Sequence, residues 1–554
     1  MQLKLLSIVL LIGLITFNSK GQTIPVGTPI LSEAMRNAQL LGQVDSSISF
    51  SVMPIFPVKA FKSGDQNDFY KTLGKGKWNN DNPTFHFLNK LGNLQLLPFK
   101  WNQQFNTHHP YSLNDGAMIP ARGYQTMISL GFYAKLGILS IQLYPEYVFA
   151  ENRDFQGLYK QLSPIIWQEY NTFHSLIDFP DKFGDKPYKK LFWGQSSIRI
   201  TAGPISFGLS NENLWWGPGI KNSLLMSNTA PGFMHLTLNS VKPIHTLIGS
   251  FEGQIIGGLL EASSYETVMQ SQSQYLNGMV LTYNPLWISG LFLGLTRSEM
   301  VLYKDLNKFT DYMPVISPFF KKNIYGNGES KTVNDQRTSI FARWLLPIAN
   351  AEIYAEFYKE DHAYNFRDLF LQLEYAHAYL FGLTKLQPRI HHPGQYIKFQ
   401  LEYTKIEDNS DNEWRTGGYS YNYVHYSQQL LGYTNQGQLL GPGIGPGSDL
   451  LSVEVSLLKG LKKIGLEFER FVHNADFFNK IIQDPRANWV DLNISAIGQF
   501  NWRNILISSK FTFQNAYNYQ YYYQPTIKNN KPDYWAPGTN TFNFQAQISM
   551  TYRF

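Results

Sequence analysis

The chain ends in Thr541-Phe-Asn-Phe-Gln-Ala-Gln-Ile-Ser-Met-Thr-Tyr-Arg-Phe554, a run in which apolar and polar residues alternate without a break. Successive side chains of a β-strand point to opposite faces, so this run predicts a strand with one apolar and one polar face. The apolar face carries Phe542, Phe544, Ala546, Ile548, Met550, Tyr552 and Phe554, and the polar face carries Asn543, Gln545, Gln547, Ser549, Thr551 and Arg553. The run is longer than the about 9–11 residues that a tilted strand needs to cross a bilayer.

The same two-residue rhythm begins near residue 93 and predicts about eighteen strands. Candidate strands lie at about 94–104, 122–135, 138–149, 194–202, 205–211, 233–241, 246–257, 275–284, 288–297, 337–346, 352–359, 376–385, 395–406, 450–458, 462–471, 488–500, 503–515 and 541–553. Short connections such as Leu136-Gly137 alternate with long ones such as 150–193 and 516–540. Outer-membrane barrels place short turns in the periplasm and long loops outside. The sequence therefore predicts an all-β fold, a transmembrane antiparallel β-barrel of about 18 strands over residues 93–554.

The N-terminus predicts export. Met1 to Lys4 is a short basic start, and Leu5 to Phe17 is an apolar run that is too short to span a bilayer. Ser19-Lys20-Gly21 has small residues at the positions that precede a signal-peptide cleavage site. We predict a signal peptide over residues 1–21 that is cut before Gln22, and an outer-membrane location in contact with lipid.

Residues 22–92 differ from the rest of the chain. Thr28 to Leu41 has apolar residues at helical spacing and predicts a short amphipathic helix. Ser46 to Met53 alternates and predicts a strand. We interpret the section as a small, partly helical cap or plug of the barrel.

No pattern in the chain predicts catalysis. The nucleophile elbow, the zinc-protease helix and the phosphate-binding loop are all missing from the sequence. His108-His109 and His391-His392 are adjacent pairs, so on a strand their side chains would point to opposite faces rather than chelate one metal ion. Removal of Lys4 and Lys20 lowers the formal charge from +6 to +4, which is too mild for a nucleic-acid binder. We expect a non-enzymatic protein without cofactor, metal ion or nucleic-acid partner.

Aromatic residues and amides are concentrated in the predicted loops. Ser210 to Pro231 contains a Trp pair followed by Gly217-Pro218-Gly219, and Asn515 to Pro525 contains five Tyr. Aromatic faces cover the CH patches of sugars, and Asn or Gln amides bond to sugar hydroxyls. Candidate glycan contacts are Trp215, Trp216, Asn211, Asn213, Asn222, Tyr519, Tyr521, Tyr523 and Trp535. These aromatic residues have two alternative roles: Tyr and Trp also form the interfacial girdle of barrels, and the Trp pair could pack as a plug.

The loop at 210–231 resembles the characteristic region of the Wzi capsule-assembly family. The resemblance rests on Gly208 to Gly219, on Asn222 to Pro231, on Gly194 to Arg199 and on the Gly-Pro-rich run from Leu440 to Ser448. It implies an eighteen-stranded outer-membrane barrel with a helical element at its periplasmic end. It also implies a lectin-like role in which capsular polysaccharide is held at the cell surface. The terminal Phe554 resembles the assembly signal of bacterial outer-membrane barrels, which implies contact with the barrel-assembly machinery.

The expected function is a surface protein that binds and anchors capsular or exopolysaccharide without catalysis. Two alternatives stay open from the sequence. A barrel of this size is wide enough to conduct if its lumen is empty, which would make the protein a porin-like or substrate-specific channel. The barrel could instead be a scaffold of a secretion or motility system.

Overall fold

The computed structural model describes residues 25–56, 84–87, 92–265, 273–306, 308, 312–313, 315, 335–360, 366–371, 376–407, 424–426, 430–524 and 539–554. The predicted signal peptide with its cleavage site and the candidate Trp535 lie outside these residues.

One antiparallel sheet dominates the described part of the chain and contains 24 strands. They are Thr84–Phe87, Gly92–Leu96, Phe99–Asn106, Gly123–Ser129, Phe132–Leu136, Leu139–Leu143, Glu146–Ala150, Tyr188–Phe192, Ser197–Ala202, Ile205–Ser210, His235–Ser240, Ile244–Thr246, Gly249–Leu260, Gln274–Pro285, Leu291–Leu302, Asp335–Leu346, Ala351–Glu360, His377–Pro388, Tyr396–Lys405, Asp449–Lys459, Lys462–Val472, Val490–Trp502, Ile505–Tyr517 and Asn540–Tyr552. The all-β prediction is therefore confirmed.

Small elements lie apart from the main sheet. Three two-stranded sheets pair Val52–Met53 with Trp215–Trp216, Val424–Tyr426 with Leu430–Gly432, and Thr434–Asn435 with Gln438–Leu439. The α-helices are Pro29–Leu40, Pro164–Leu176, Phe366–Leu371 and Ala475–Phe477, with a π-turn at Phe478–Ile482 and 3-10 turns at Tyr303–Asp305, Pro347–Ala349 and Tyr519–Tyr521. None of the helices in the described ranges combines the length and the apolarity that a membrane-crossing helix requires.

The first and last long strands of the sheet are neighbours. From Ile205 onward, each long strand pairs with the next one along the chain. The final strand, Asn540–Tyr552, then pairs with Phe99–Asn106, in a register that joins Tyr552 to Phe99. The sheet is thus continuous from its C-terminal strand back to its N-terminal ones.

Three of the predicted strands are each broken into two, which corrects the prediction. The candidates at 94–104, 122–135 and 138–149 break at Pro98, Gly131 and Pro145. The two prolines have no N–H to donate to a neighbouring strand. A Cβ on Gly131 would lie only 1.9 Å from the carbonyl oxygen of Leu143, so the strands approach closely there. The halves continue in line, because each half pairs with the matching half of its neighbour.

Two further expectations about strands were wrong. Tyr188–Phe192 is a strand within a region that was predicted as loop, and it pairs with Glu146–Ala150. Its Lys189-Lys190 pair hid the alternation. Only Val52–Met53 of the predicted strand Ser46–Met53 is a strand, since the preceding residues form turns.

The two faces of the sheet differ in polarity: the exposed face is apolar and the buried face is polar, which is the reverse of a water-soluble protein. On Ile205–Ser210, Phe207 is 50% exposed and Leu209 is 41% exposed, whereas Ser206 and Ser210 are buried. The C-terminal strand has the predicted alternation, with Phe542 exposed and Asn543 buried. The sheet therefore presents apolar side chains to its surroundings on an outer face and buries polar ones on an inner face.

The predicted N-terminal helix is confirmed as Pro29–Leu40. Pro29 suits the first helical position, where a backbone N–H would have no partner in the helix. The helix stops at Gly42, whose φ of +68° is the left-handed conformation that glycine adopts without strain. Its apolar side packs against Leu461, in the turn after Asp449–Lys459, and against Leu506 of the strand Ile505–Tyr517, so the helix lies against the inner face.

Ion pairs fix this helix to several strands. Arg36 Nε lies 2.8 Å from Glu352 Oε1, and Arg343 Nε donates to the other oxygen of Glu352 at 2.7 Å. Glu33 lies 2.6 Å from Lys398 Nζ and 2.8 Å from Lys463 Nζ. Burial opposes ionisation of Glu33, but the two lysines hold its pKa below the usual range. One short helix thus contacts strands from well-separated parts of the sheet, as a plug does.

We expect Glu352→Ala to lower the free energy of unfolding by about 3–5 kcal/mol, because Arg36 and Arg343 would be left buried without their shared carboxylate. Urea titration of the protein refolded in lipid vesicles measures this value. Glu407→Ala is the matched control, since its pair with Lys405 is partly exposed and is worth less than about 1 kcal/mol. Equal losses in both variants would contradict a special role for the buried pair.

Candidate functional site

The loop that follows Ile205–Ser210, here called the motif loop (residues 211–234), folds back against the inner face of the sheet. Trp215 and Trp216 form a short antiparallel pairing with Val52 and Met53 of the N-terminal section. Trp216 is fully buried, and its indole Nε1 donates to Gln254 Oε1 at 3.0 Å. The Trp pair thus joins the N-terminal plug to the inner face of the sheet.

Glycines let the motif loop approach the inner face. Gly217 has a φ of +131°, and a Cβ there would lie 2.7 Å from Glu356 Oε2. A Cβ on Gly219 would lie 2.0 Å from the carbonyl oxygen of Asn222. The Gly-Pro-Gly run is therefore required by close packing and not by exposure to a ligand.

Carboxylates of the sheet hold the motif loop through its backbone. Glu402 accepts from the backbone N–H groups of Ile220 at 2.7 Å and Asn222 at 2.8 Å, and from the Tyr354 hydroxyl at 2.8 Å. Glu212, within the loop, forms a buried ion pair of 2.6 Å with Arg199. These contacts give the loop one defined shape.

The three candidate asparagines of the motif loop are buried and bonded within the protein. Asn211 Nδ2 donates to the carbonyl oxygens of Gly194 and Gly232, 3.2 Å each. Asn213 Nδ2 donates to Ala230 O at 2.8 Å and to the Asn228 side chain at 2.9 Å. Asn222 Nδ2 donates to Thr404 Oγ1 at 3.2 Å. Their amides therefore serve the shape of the loop.

A cavity of about 390 Å³ remains between the helix Pro29–Leu40, here called the plug helix, the motif loop and the sheet. Trp215, Gln400 and several charged side chains line it. Lys221 of the motif loop projects to Glu467 and Glu469, and Lys510 lies 2.6 Å from Glu467 Oε1. Burial opposes protonation of Lys221, but the two carboxylates raise its pKa above the usual range. The lysines and glutamates that line the cavity thus form ion pairs with one another.

The candidate tyrosines Tyr519 and Tyr521 belong to an outer aromatic cluster, which also contains Trp489, His473 and His109. Tyr519 stacks on His109 with ring centroids 4.6 Å apart, and Trp489 stacks on His473 at 3.7 Å. Tyr521 meets the Trp489 ring edge-on at 5.6 Å. Burial raises the pKa of Tyr519 and lowers the pKa of His109 to about 4, so both groups stay neutral at pH 7.

Both buried tyrosines tie loops together. Tyr519 donates through its hydroxyl to Gln156 O at 2.7 Å, and Tyr521 donates to His473 O at 3.2 Å. Gln520 and Tyr521 have positive φ, a conformation that is strained for residues other than glycine. This tight turn directs the next two residues of the chain toward the surface.

Three half-buried tyrosines lie at the surface near this cluster, and we call them together the tyrosine platform (Tyr159, Tyr522 and Tyr523). Tyr159 and Tyr522 stack with centroids 4.4 Å apart and an interplanar angle of 20°. The guanidinium of Arg486 lies 4.9 Å from the centre of the Tyr523 ring. Gln524 lies exposed beside them.

The structure therefore divides the predicted site residues into two groups. Trp215, Trp216, Asn211, Asn213, Asn222, Tyr519 and Tyr521 are buried and bonded or packed inside the protein. Tyr523 lies at the surface with Tyr159 and Tyr522, which were not among the predicted contacts. Tyr522 belongs to the Tyr-rich run that the sequence marks, whereas no pattern around Tyr159 distinguishes it. Among the residues that the structure describes, no three His, Asp or Glu side chains gather as a metal site needs.

We expect Trp216→Ala to lower the free energy of unfolding by about 3–5 kcal/mol, because it would leave a large void and remove the partner of Gln254 Oε1. Urea titration measures the loss. Glycan binding of the protein that remains folded should be unchanged. Normal stability together with lost glycan binding would show instead that this Trp contacts the ligand.

Comparisons with known proteins agree with this architecture. The sequence model of a family described as "Capsule assembly protein Wzi" matches residues 122–503, which is more than half of the chain. No curated protein matches the chain. Among solved structures, the chain is similar to Wzi of Escherichia coli, described as an outer membrane protein involved in group 1 capsule assembly and a carbohydrate-binding β-barrel. That similarity has 13% identity, covers 96% of this chain and 99% of the other, and has a TM-score of 0.56.

Further matches include outer-membrane proteins with lower scores. OprD of Pseudomonas aeruginosa has 6% identity, with 85% of this chain and 95% of the other covered and a TM-score of 0.37. OccAB4 of Acinetobacter baumannii has 10% identity, with 85% and 99% covered and a TM-score of 0.36. The family match is the finding that decides: the chain belongs to the Wzi family of capsule assembly proteins.

Proposed function

We propose that the sheet is a closed, eighteen-stranded outer-membrane barrel. Besides the three broken strands described above, Tyr188–Phe192 and Ser197–Ala202 are the two halves of a fourth, because they pair with the two halves of one neighbour. Ile244–Thr246 likewise continues His235–Ser240, since both pair with Gly249–Leu260. Counting such halves together, and leaving the short Thr84–Phe87 aside, gives eighteen strands. The pairing of the last strand with Phe99–Asn106 supports closure, since a closed sheet has no edge in lipid.

The orientation follows from the connections and from the outward face. Exposed apolar side chains on the outside and polar ones inside suit a lipid environment. The tight turns at Gly137 and Gly203 belong in the periplasm with the plug helix, and the long loops, including the tyrosine platform, face outward. The C-terminal strand ending in Phe554 is the segment that we expect the barrel-assembly machinery to bind.

Within this barrel, we propose a non-catalytic surface lectin that binds capsular or exopolysaccharide and anchors it to the cell. The single observation that carries the proposal is the tyrosine platform on the outer loops. Two stacked rings and a third beside an Arg offer rigid apolar faces at the surface, and the exposed amide of Gln524 lies next to them. Sugar rings stack on such faces through their CH groups, while amides bond to hydroxyls.

The glycan site proposed here differs in part from the predicted one. Tyr523 stays a candidate contact and is joined by Tyr159 and Tyr522. Tyr519 and Tyr521 support the platform from below, and the Trp pair and asparagines shape the motif loop. Trp535 stays a prediction.

We expect Tyr159→Ala combined with Tyr522→Ala to weaken glycan binding by about tenfold or more, because both stacking faces would be lost. The probe is capsular polysaccharide from the producing bacterium, and biolayer interferometry on the purified barrel gives the affinity. A cell assay of polysaccharide retention with the same variant tests the anchoring role separately.

Tyr303→Ala is the matched control, since Tyr303 is an exposed tyrosine on a different outer turn. Its affinity for the polysaccharide should equal that of the unmodified protein. Unchanged binding in the double variant, or the same loss in the control, would refute the tyrosine platform as the glycan site.

A channel function is the second candidate, and the cavity of about 390 Å³ beside the plug helix is the observation that favours it. The plug helix and the motif loop occupy part of the interior through buried contacts. We therefore expect no steady single-channel conductance in a planar bilayer. Stable, ohmic openings of the unmodified protein would support a porin-like channel instead.

A further inference from the structure

Lys189 lies next to the apolar outer face of two neighbouring strands, Glu146–Ala150 and Tyr188–Phe192. Their register places Phe149 beside Lys189 and Tyr147 beside Leu191. Tyr147 is 42% exposed and Leu191 is 70% exposed, so this is the outward face. Side chains return to the same face every second residue. Lys189 therefore follows the apolar residues on the side of the long loops.

Two arginines continue the same face beyond the strand ends. Arg122 and Arg153 form an antiparallel bridge with each other. Asn152 has a φ of +51°, so the regular alternation of the strand ends before Arg153. The ion pair with Glu151, which follows Phe149 by two residues, places the Arg153 side chain next to the outward face. Four residues of extended chain cover at most roughly 13 Å, which limits the backbone separation of Phe149 and Arg153.

The charges of this group are only partly balanced by acids. Arg153 forms an ion pair of 2.8 Å with Glu151 but keeps 56% of its side chain exposed. Arg122 donates to the carbonyl oxygens of Thr107 and Asp154 at 3.0 Å and 2.6 Å.

Like Arg122, Lys189 forms no ion pair with an acidic side chain of the described residues. Lys189 Nζ lies 5.8 Å from the centre of the Phe149 ring. The nearby carboxylates of Asp154 and Asp185 bind Lys182. Within the described ranges, neither Arg122 nor Lys189 forms an ion pair, so both charges are available to an anion.

We propose that Arg122, Arg153 and Lys189 bind the phosphorylated diglucosamine headgroup of a glycolipid in the outer leaflet. This rests on the barrel orientation proposed above but not on glycan binding. Arginine binds phosphate in a bidentate manner, and lysine acts as a point charge. Lys189 directly adjoins the apolar face, and Arg153 and Arg122 lie beyond Glu151, which forms an ion pair with Arg153. Acyl chains therefore lie along Tyr147 and Leu191 while the headgroup reaches the cations. A soluble acidic polysaccharide has no acyl chains to use that face.

The test compares two lipids that differ only in phosphate. The full mature protein in detergent is mixed with bisphosphorylated lipid A or with the same lipid after removal of both phosphates, and native mass spectrometry counts bound lipid. We expect the phosphorylated form to bind at least about fivefold better. Lys189→Gln combined with Arg153→Gln should lower its binding about tenfold, while Arg122 keeps its carbonyl bonds.

Lys242→Gln combined with Arg503→Gln is the matched control, since both are exposed cations at the short-turn end. This control should bind lipid A normally. Lys189→Glu alone is a second variant, at one exposed position, in case the double variant folds poorly. Equal binding of both lipids, an unaffected double variant, or displacement of lipid A by acidic polysaccharide would overturn the proposal. Normal binding of polysaccharide by the double variant would separate the lipid site from the glycan site.

Discussion

Polar side chains buried on the inner face of the sheet must all find partners, and this constraint governs the rest of the structure. Glu352 shows it most clearly, because its carboxylate is fully buried between Arg36 and Arg343. Desolvating charges costs free energy that only well-placed opposite charges and hydrogen bonds offset. The sheet supplies one side of these contacts, and the plug helix and motif loop supply the other. The interior therefore combines buried ion pairs with a hydrophobic cluster around Trp216 and Leu224, and elements from distant parts of the sequence depend on each other there.

In the function that we propose, recognition takes place at the outer rim, because the plug helix and motif loop occupy much of the interior. The motif loop uses its amides and backbone groups to bond to Glu402, Thr404 and neighbouring carbonyls. The same holds for the outer aromatic cluster, where Tyr519 and Tyr521 are buried and bonded to other loops. The tyrosine platform lies at the surface next to these buried rings, which hold it in place. A rigid platform binds sugars with less loss of conformational entropy than a mobile loop would.

The alternation of residue types predicted most of the fold. All of the predicted strands except the three broken ones recur as continuous strands, because a tilted strand with one apolar face needs only a two-residue period. The sequence shows Pro98 and Pro145, but the breaks at these prolines were missed because the alternation of apolar and polar residues continues across them. Tyr188–Phe192 was missed because its exposed face carries Lys189, a charged residue where the pattern of the other strands has an apolar one.

The site was less predictable than the fold for a physical reason. A Trp, Tyr or Asn has the same chemistry in a plug as at a surface, and the sequence does not state which side of the loop faces inward. The motif loop, on which the family resemblance rests, is buried, and its glycines are required where a Cβ would strike Glu356 or the backbone. The features that identify the family therefore specify how the interior is filled. The platform of Tyr159, Tyr522 and Tyr523 lies outside that motif. If this platform is the glycan site, as we propose, membership of the family fixes the scaffold while the choice of glycan depends on loops that the motif does not constrain.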